Sequence, residues 1–312
     1  MRSRAAADTV TERWSDHPLF AHFRAELAAM PERDPQSVLA AADRFMDRLG
    51  EIEALLENFI SHACADPFFS PPLTPVNSEI NTGYLLFADE GVTVGLGVIS
   101  ADALAAKRVS AKGQTAIGFT GFLTSYRFLK AGGATLSFWE TPELTSDFSG
   151  DVAGSCRFAG RRQIEDGDRL VMDGRRQSLV IEHLHSDMLC LQASTQAGAA
   201  PLSADYDSRT LRYLGAVSTD EASSRTQMMT TLLRLMDRTD AVPVLEQALR
   251  SEHFYTRWHV MREMLALDAE RALPCLRRMA DSDPHPEVRF AATQALSLFF
   301  EDEQEEPLQC RA

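Results

Sequence analysis

Three kinds of hydrophobic pattern follow one another along this chain. In HPLFAHFRAELAAM, Phe20, Phe23, Leu27 and Met30 recur at three- and four-residue steps, the stripe of one helix. PERDPQS then stops it, because Pro31 and Pro35 each lack an amide donor and restrict the residue before them. Further on, apolar residues at 38, 42, 45, 49, 52, 56, 59 and 63 alternate steps of four and three, a heptad seam that Gly50 interrupts. A helical hairpin packed on its own chain satisfies such a seam, and so does a coiled-coil homodimer. ADPFFSPPLTPVNS, with prolines at 67, 71, 72 and 75, is a connector into the next module.

From about residue 80 to 215 the apolar runs shorten and Gly, Asp and Ser separate them, as in TGYLLFADEGVTVGLGVIS and FLTSYRFLKAGGATLSFWET. Many short strands with turn signals predict a β-sandwich or barrel, and no long helical pattern interrupts them to suggest a parallel α/β sheet. From 218 to 300 the helical period returns, now repeated. AVPVL at 241–245 corresponds to ALPCL at 272–276, and Arg257 and Arg289 hold similar places in the helices that follow. A helical pair recurring at this spacing predicts a small solenoid.

The chain is 312 residues long, which predicts two or three modules. The divisions fall at 1–76 (helices and Pro-rich linker), 77–217 (strands), 218–300 (helical repeats) and 301–312 (acidic tail, EDEQEEPLQCRA). A net charge of −14 disfavours nucleic acid and anionic membranes as partners. No apolar run approaches a membrane span, and no apolar segment follows the first basic residues, so a cytoplasmic location is the expectation. Five scattered cysteines (Cys64, Cys156, Cys190, Cys275 and Cys310) form no CxxC and are expected as buried free thiols.

Two stretches resemble known families. DPHPEVRFAATQAL resembles the HEAT-repeat signature, which implies stacked helical pairs and a protein partner docked on them. IEDGDRLVMDGRRQSLVIEHLHSDMLCLQ resembles the second motif of the cupin family, with Gly167-Asp168 as the first turn and Asp173-Gly174 as the second. The fold class expected is therefore α+β multidomain: an N-terminal helical hairpin, a central cupin-like antiparallel β-barrel and a C-terminal HEAT-like α-solenoid. The chain departs from the cupin pattern where it matters for chemistry. Gln177 or Ser178 stands where that family places its second-motif histidine, and there is no histidine between His62 and His183.

His183 and His185 share one face of a strand with Leu179 and Ile181. Inside a barrel they could bind one divalent transition metal with Glu140 or Asp173, although such sites need three or four converging ligands. Alternatively HSD is a hairpin turn, which places His185 at the rim; no cofactor is then required. The tetrapeptide GRRQ occurs at 160–163 and at 174–177. Read as two turns, it brings four arginines together, either solvated or as a pocket for a small anionic ligand. That pocket would use Arg162, Arg175, Arg176 and Gln177, with Tyr126, Arg127, Lys130 and Trp139 as walls. GxGxxG after a strand, Walker A, HExxH and GxSxG are all absent from the sequence. The function expected is non-catalytic ligand binding, regulation or partner docking. The alternative is a cupin-type enzyme: a metal-dependent oxygenase or isomerase with non-standard ligands, or a metal-free catalyst using His183, Glu182 and Tyr126. A pure scaffold is the third reading.

Overall fold

The computed structural model describes residues 17–300 except 31, 67, 70, 90 and 112–114; the expected acidic tail and Cys310 lie outside the described residues. The chain divides into two compact units, one running through Leu144 and again from Val152 to Ala216, the other made of Thr145–Asp151 and the chain from Val217 onward.

The first unit opens with three helices. α1 (Pro18–Ala28) begins with proline at a position where no amide donor is needed, and His17 Nδ1 accepts the Leu19 amide. α2 (Pro35–Met46) starts the same way under an Asp34 cap whose carboxylate accepts the Ser37 amide at 2.9 Å. α3 (Leu49–Ala65) follows after a break at Asp47–Arg48, not at Gly50, which lies inside the helix. The heptad seam is therefore split between two helices. Its first half is buried through Val38, Ala42 and Phe45, its second holds Ile52 and Phe59, and Ala63 is exposed.

These helices pack on a sheet. Leu19, Phe23, Val38 and Phe45 share one apolar cluster with Phe87, Val92, Val94 and Leu191. The boundary expected at residue 76 thus falls within a single core.

The strands are β1 (Thr74–Asn77), β2 (Asn81–Asp89), β3 (Val92–Ile99), β4 (Ala116–Phe119), β5 (Leu123–Lys130), β6 (Thr135–Glu140), β7 (Arg157–Gln163), β8 (Arg169–Asp173), β9 (Gln177–His183), β10 (Met188–Thr195), β11 (Leu202–Asp207) and β12 (Tyr213–Ser218). Two helices interrupt them: α4 (Ala101–Ser110), capped by the Ser100 hydroxyl and not expected from the pattern, and the single turn α5 (Gly150–Ala153). One sheet runs β1-β2-β3-β10-β5-β8, another β7-β6-β9, and a third β12-β11-β4. β4 lies beside β9, where Ser178 Oγ donates to the Gly118 carbonyl at 2.5 Å.

The partners from β3 to β10 are nested, with β3 against β10, β4 beside β9, β5 against β8 and β6 against β7. That is a long hairpin rolled up on itself, the jelly roll of cupin barrels. Alternation along the six-stranded sheet gives it two faces. Val92, Val94, Leu191 and Ala193 meet the helices, while Tyr126, Phe128 and Cys190 face the opposite way, into the interior.

The second unit is helical: α6 (Glu221–Leu235), α7 (Val242–Ala248), α8 (Phe254–Leu267), α9 (Ala269–Ser282) and α10 (Pro286–Phe300). The repeat seen in sequence is a repeat in structure. Leu245 and Leu276, equivalent positions of the duplicated motif, are both fully buried in its core. The two corresponding arginines do the same work. Arg257 Nη1 donates to the carbonyls of Ser251 and Glu252, and Arg289 Nη1 to those of Asp283 and Pro284, each closing the turn before its own helix. Arg257 also forks onto Asp283 of the next repeat at 2.7 and 2.8 Å, an ion pair almost wholly removed from water.

Candidate functional site

Between the two layers of the jelly roll lies a cavity of about 170 Å³. It exists because glycine takes positions where the alternation would otherwise send side chains inward. Gly83 on β2 pairs with Gly97 on β3, and Gly95 lies two residues away on the same lining. A methyl group at Gly83 would strike the Leu96 carbonyl oxygen at 2.1 Å, so that approach tolerates only glycine. At Gly97 a methyl would meet Asn81 Oδ1 at 2.7 Å, whereas at Gly95 it would sit 3.5 Å from its nearest neighbour. The remaining wall is mostly apolar, with Phe128, Leu136, Leu179, Ile181 and Met188. No charged side chain lines it among the described residues.

The polar groups that reach this lumen are neutral. Asn81 Oδ1 is buried with no hydrogen-bond donor. Burial, with the neighbouring Cys190 adding to it, pushes the Tyr126 phenol up to about 12, so its hydroxyl stays a proton donor at every physiological pH. Burial likewise pushes the Cys190 thiol up to about 11. Gln192 and Ser194 also line the cavity and bond to one another at 3.3 Å.

Of the ligand, metal and acid–base candidates named from the sequence, only Tyr126 lines this lumen. Arg127, its neighbour on β5, points to the opposite face, where it pairs with Asp47 and donates to the Met46 carbonyl at 3.0 Å. Trp139 donates from Nε1 to Ser137 Oγ and packs edge-on against Phe158. The four arginines of the duplicated GRRQ do not converge. The first copy is strand, not turn: Arg162 stands opposite Leu136 near one end of β6, while Gln177 stands opposite Glu140 at the other. Each arginine is paired with an acid: Arg161 with Glu182, Arg162 with Asp168, Arg175 with Asp173 and Arg176 with Glu143. The bonds from Arg175 hold the Asp173 carboxyl below its ordinary value. Arg176 and Gln177 line a separate, open cleft with Glu140, which is itself paired with Arg157. Lys130 pairs with Asp166 at 2.9 Å.

His183 and His185 lie together at the rim, their rings edge to face with centroids 4.4 Å apart, and both are exposed. His185 Nδ1 lies 3.2 Å from the Gly133 carbonyl. Glu140 is not near them, because His183 pairs with Thr135 at one end of β6 and Glu140 lies at the other; Asp173 ends β8, opposite Leu123. No three His, Cys, Asp or Glu side chains among the described residues are grouped to hold a metal. Among the described residues that line it, the lumen offers only the protonated Cys190 thiol and tyrosine phenols, Tyr126 among them, as potential anionic ligands. The metal that a cupin resemblance implies is not matched by this donor set. Nor do the acid–base candidates meet: Tyr126 is inside, Glu182 is paired with Arg161, and His183 is at the rim. Of the thiols, Cys156, Cys190 and Cys275 are free and buried as expected, but Cys64 is exposed.

The glycines that open the lumen and the orphaned Asn81 oxygen were missed in the sequence. The single available signal was glycine on alternate residues of VTVGLGVI, where a strand would carry larger side chains.

Residues 212–297 match the family model for HEAT repeats. No curated protein matches the chain in sequence. Among solved structures the chain is similar to ectoine synthase from P. lautus, at 13% identity over 47% of this chain and 85% of that one, with a TM-score of 0.25. It is similar also to a cupin domain from Bordetella pertussis, at 9% identity over 39% of this chain and 99% of the other, TM-score 0.24. An RmlC-like cupin family protein from Methanocaldococcus jannaschii shares 7% identity over 40% and 91% of the two chains, again at 0.24.

Proposed function

We propose that this is a non-catalytic binding protein whose barrel encloses one small, neutral, largely apolar molecule. The observation that carries the reading is the glycine-lined lumen, with an acceptor lacking a donor at Asn81 and a phenol at Tyr126. Leaving a buried polar atom unpaired costs about 1–3 kcal/mol, and a ligand carrying one donor near Asn81 and one acceptor near Tyr126 would recover it. Apolar cavities of about 150 Å³ accept an aromatic ring, which sets the size of the guest. A neutral guest replaces the anionic one that the arginines suggested, since those arginines are already paired. The helical repeats are the module through which a protein partner would read the barrel, because stacked helical pairs offer a broad face.

Titration calorimetry with indole and benzyl alcohol tests the ligand reading. Saturable binding that Gly95→Val abolishes, in a variant that still melts cooperatively, is the expected result. Binding that survives a filled lumen, or follows Arg162, Arg175 and Arg176 instead, would overturn it.

A further inference from the structure

The two ends of the lumen differ, and β10 runs along the change. Every second side chain of this strand lines the cavity: Met188, Cys190, Gln192 and Ser194. Met188 and Cys190 are buried, Gln192 is exposed and Ser194 half-buried. The neighbouring strands keep the same order. Cys190 stands between Gly97 of β3 and Phe128 of β5, Gln192 between Gly95 and Tyr126, and Ser194 between Thr93 and Thr124. The cavity is thus buried and largely apolar at Cys190, and it meets water among polar groups at Gln192, about 7 Å further along the strand.

That polar end is built, not merely open. Gly95 puts no side chain beside Gln192 on one flank, and on the other stands the Tyr126 phenol, a proton donor. Gln192 Nε2 donates to Ser194 Oγ at 3.3 Å, and Ser194 Oγ lies 3.1 Å from Thr124 Oγ1. A carboxamide carries two N–H groups and a carbonyl, so one bond positions it without exhausting it.

We infer that Gln192 selects the guest, and that the guest is an aromatic ring bearing a short, neutral arm that ends in an amide. The ring lies at the level of Cys190, where Gly83 and Gly97 leave room. Asn81 Oδ1 borders that space, since a methyl group at Gly97 would meet it at 2.7 Å, and a ring hydroxyl or N–H supplies its missing donor. The arm runs toward the mouth, where its carbonyl accepts from Tyr126 and Gln192. A carboxylate or ammonium arm would give up water without meeting an opposite charge, because no charged side chain lines the cavity among the described residues. This assignment rests on the lumen being a binding site, and 4-ethylphenol, which lacks a polar arm, tests that part alone.

Titration calorimetry of the full chain with 4-ethylphenol, 4-hydroxyphenylacetamide, 4-hydroxyphenylacetate and tyramine is the experiment. The four share a ring and its hydroxyl and differ in the arm. The amide should bind roughly tenfold tighter than 4-ethylphenol, and both charged compounds more weakly than the amide. Gln192→Leu, a change at an exposed position that should melt like the wild type, is expected to remove most of the preference and leave 4-ethylphenol binding unchanged. Gln192→Glu should shift the preference to tyramine. Three results would overturn the inference while leaving the lumen a binding site: equal wild-type affinity for the amide and 4-ethylphenol, a preference undiminished in Gln192→Leu, or a charged arm bound best. Failure of all four compounds to bind would overturn both.

Discussion

The barrel interior and the helical module bury polar groups in opposite ways. In the helical module, Arg257 satisfies a carboxylate and two carbonyls with three nitrogens, and Asp283 in turn accepts the His285 amide at 2.9 Å. In the lumen, Asn81 Oδ1 has no donor at all. Two other buried atoms among the described residues lack partners, but neither opens on the lumen. Arg127 Nε belongs to a guanidinium engaged through Nη1, and the His285 ring is stacked on Phe254 at 3.8 Å. A satisfied buried network fixes one arrangement of helices. An unsatisfied group facing a cavity is a place held open for something else.

The sharpest way to break this contrast is Arg257→Ala. It strands Asp283 in the core and should cost about 3–5 kcal/mol of the helical unit's stability, read from urea denaturation. Replacing both partners with apolar residues should cost far less, because the penalty comes from the orphaned charge. In the lumen the sign reverses. Asn81→Leu removes an orphan and should stabilise the ligand-free protein by about 1–2 kcal/mol in thermal denaturation, while weakening the guest.

Acid should separate the two regions more gently. Burial pushes the Asp283 carboxyl up, but its bonds from Arg257 and the His285 amide outweigh this and hold it below the ordinary range. A carboxyl lowered in the folded state contributes stability above its unfolded value, near pH 4, and that contribution disappears as pH falls through the folded value. The wild type should therefore lose more stability than Asp283→Asn between pH 5 and pH 2 in parallel melts; equal losses would show that this pair carries no pH dependence.

What the sequence revealed follows the range of the interactions. The helical repeat was legible because its signals are local: AVPVL and ALPCL bury the same leucine, and Arg257 and Arg289 close turns five and six residues behind them. The strands were legible as strands, but their partners are distant, and so the arginine clusters were misplaced. GRRQ reads alike at 160 and 174, yet one copy is strand and the other turn, and two of the acids that neutralise them, Glu182 and Glu143, come from elsewhere in the chain. The rim position of His185 was legible from the HSD turn. The lumen was not, because what defines it is the side chains that are missing at Gly83, Gly95 and Gly97.

The nested strand order has a kinetic consequence. Val92 pairs with Thr195 and Ile99 with Met188, so the outermost strands of the roll meet across about a hundred residues of intervening chain. Closing so long a loop is slow, while the helical repeats need only neighbours already close in sequence. The two units should therefore fold on separate clocks, the helices early and the roll late. β3, which supplies two of the lumen's three glycines, joins β10 only at that last closure. A guest that fills the lumen then has no site on the unfinished roll, and it should act as a brake on unfolding and leave the rate of folding almost untouched.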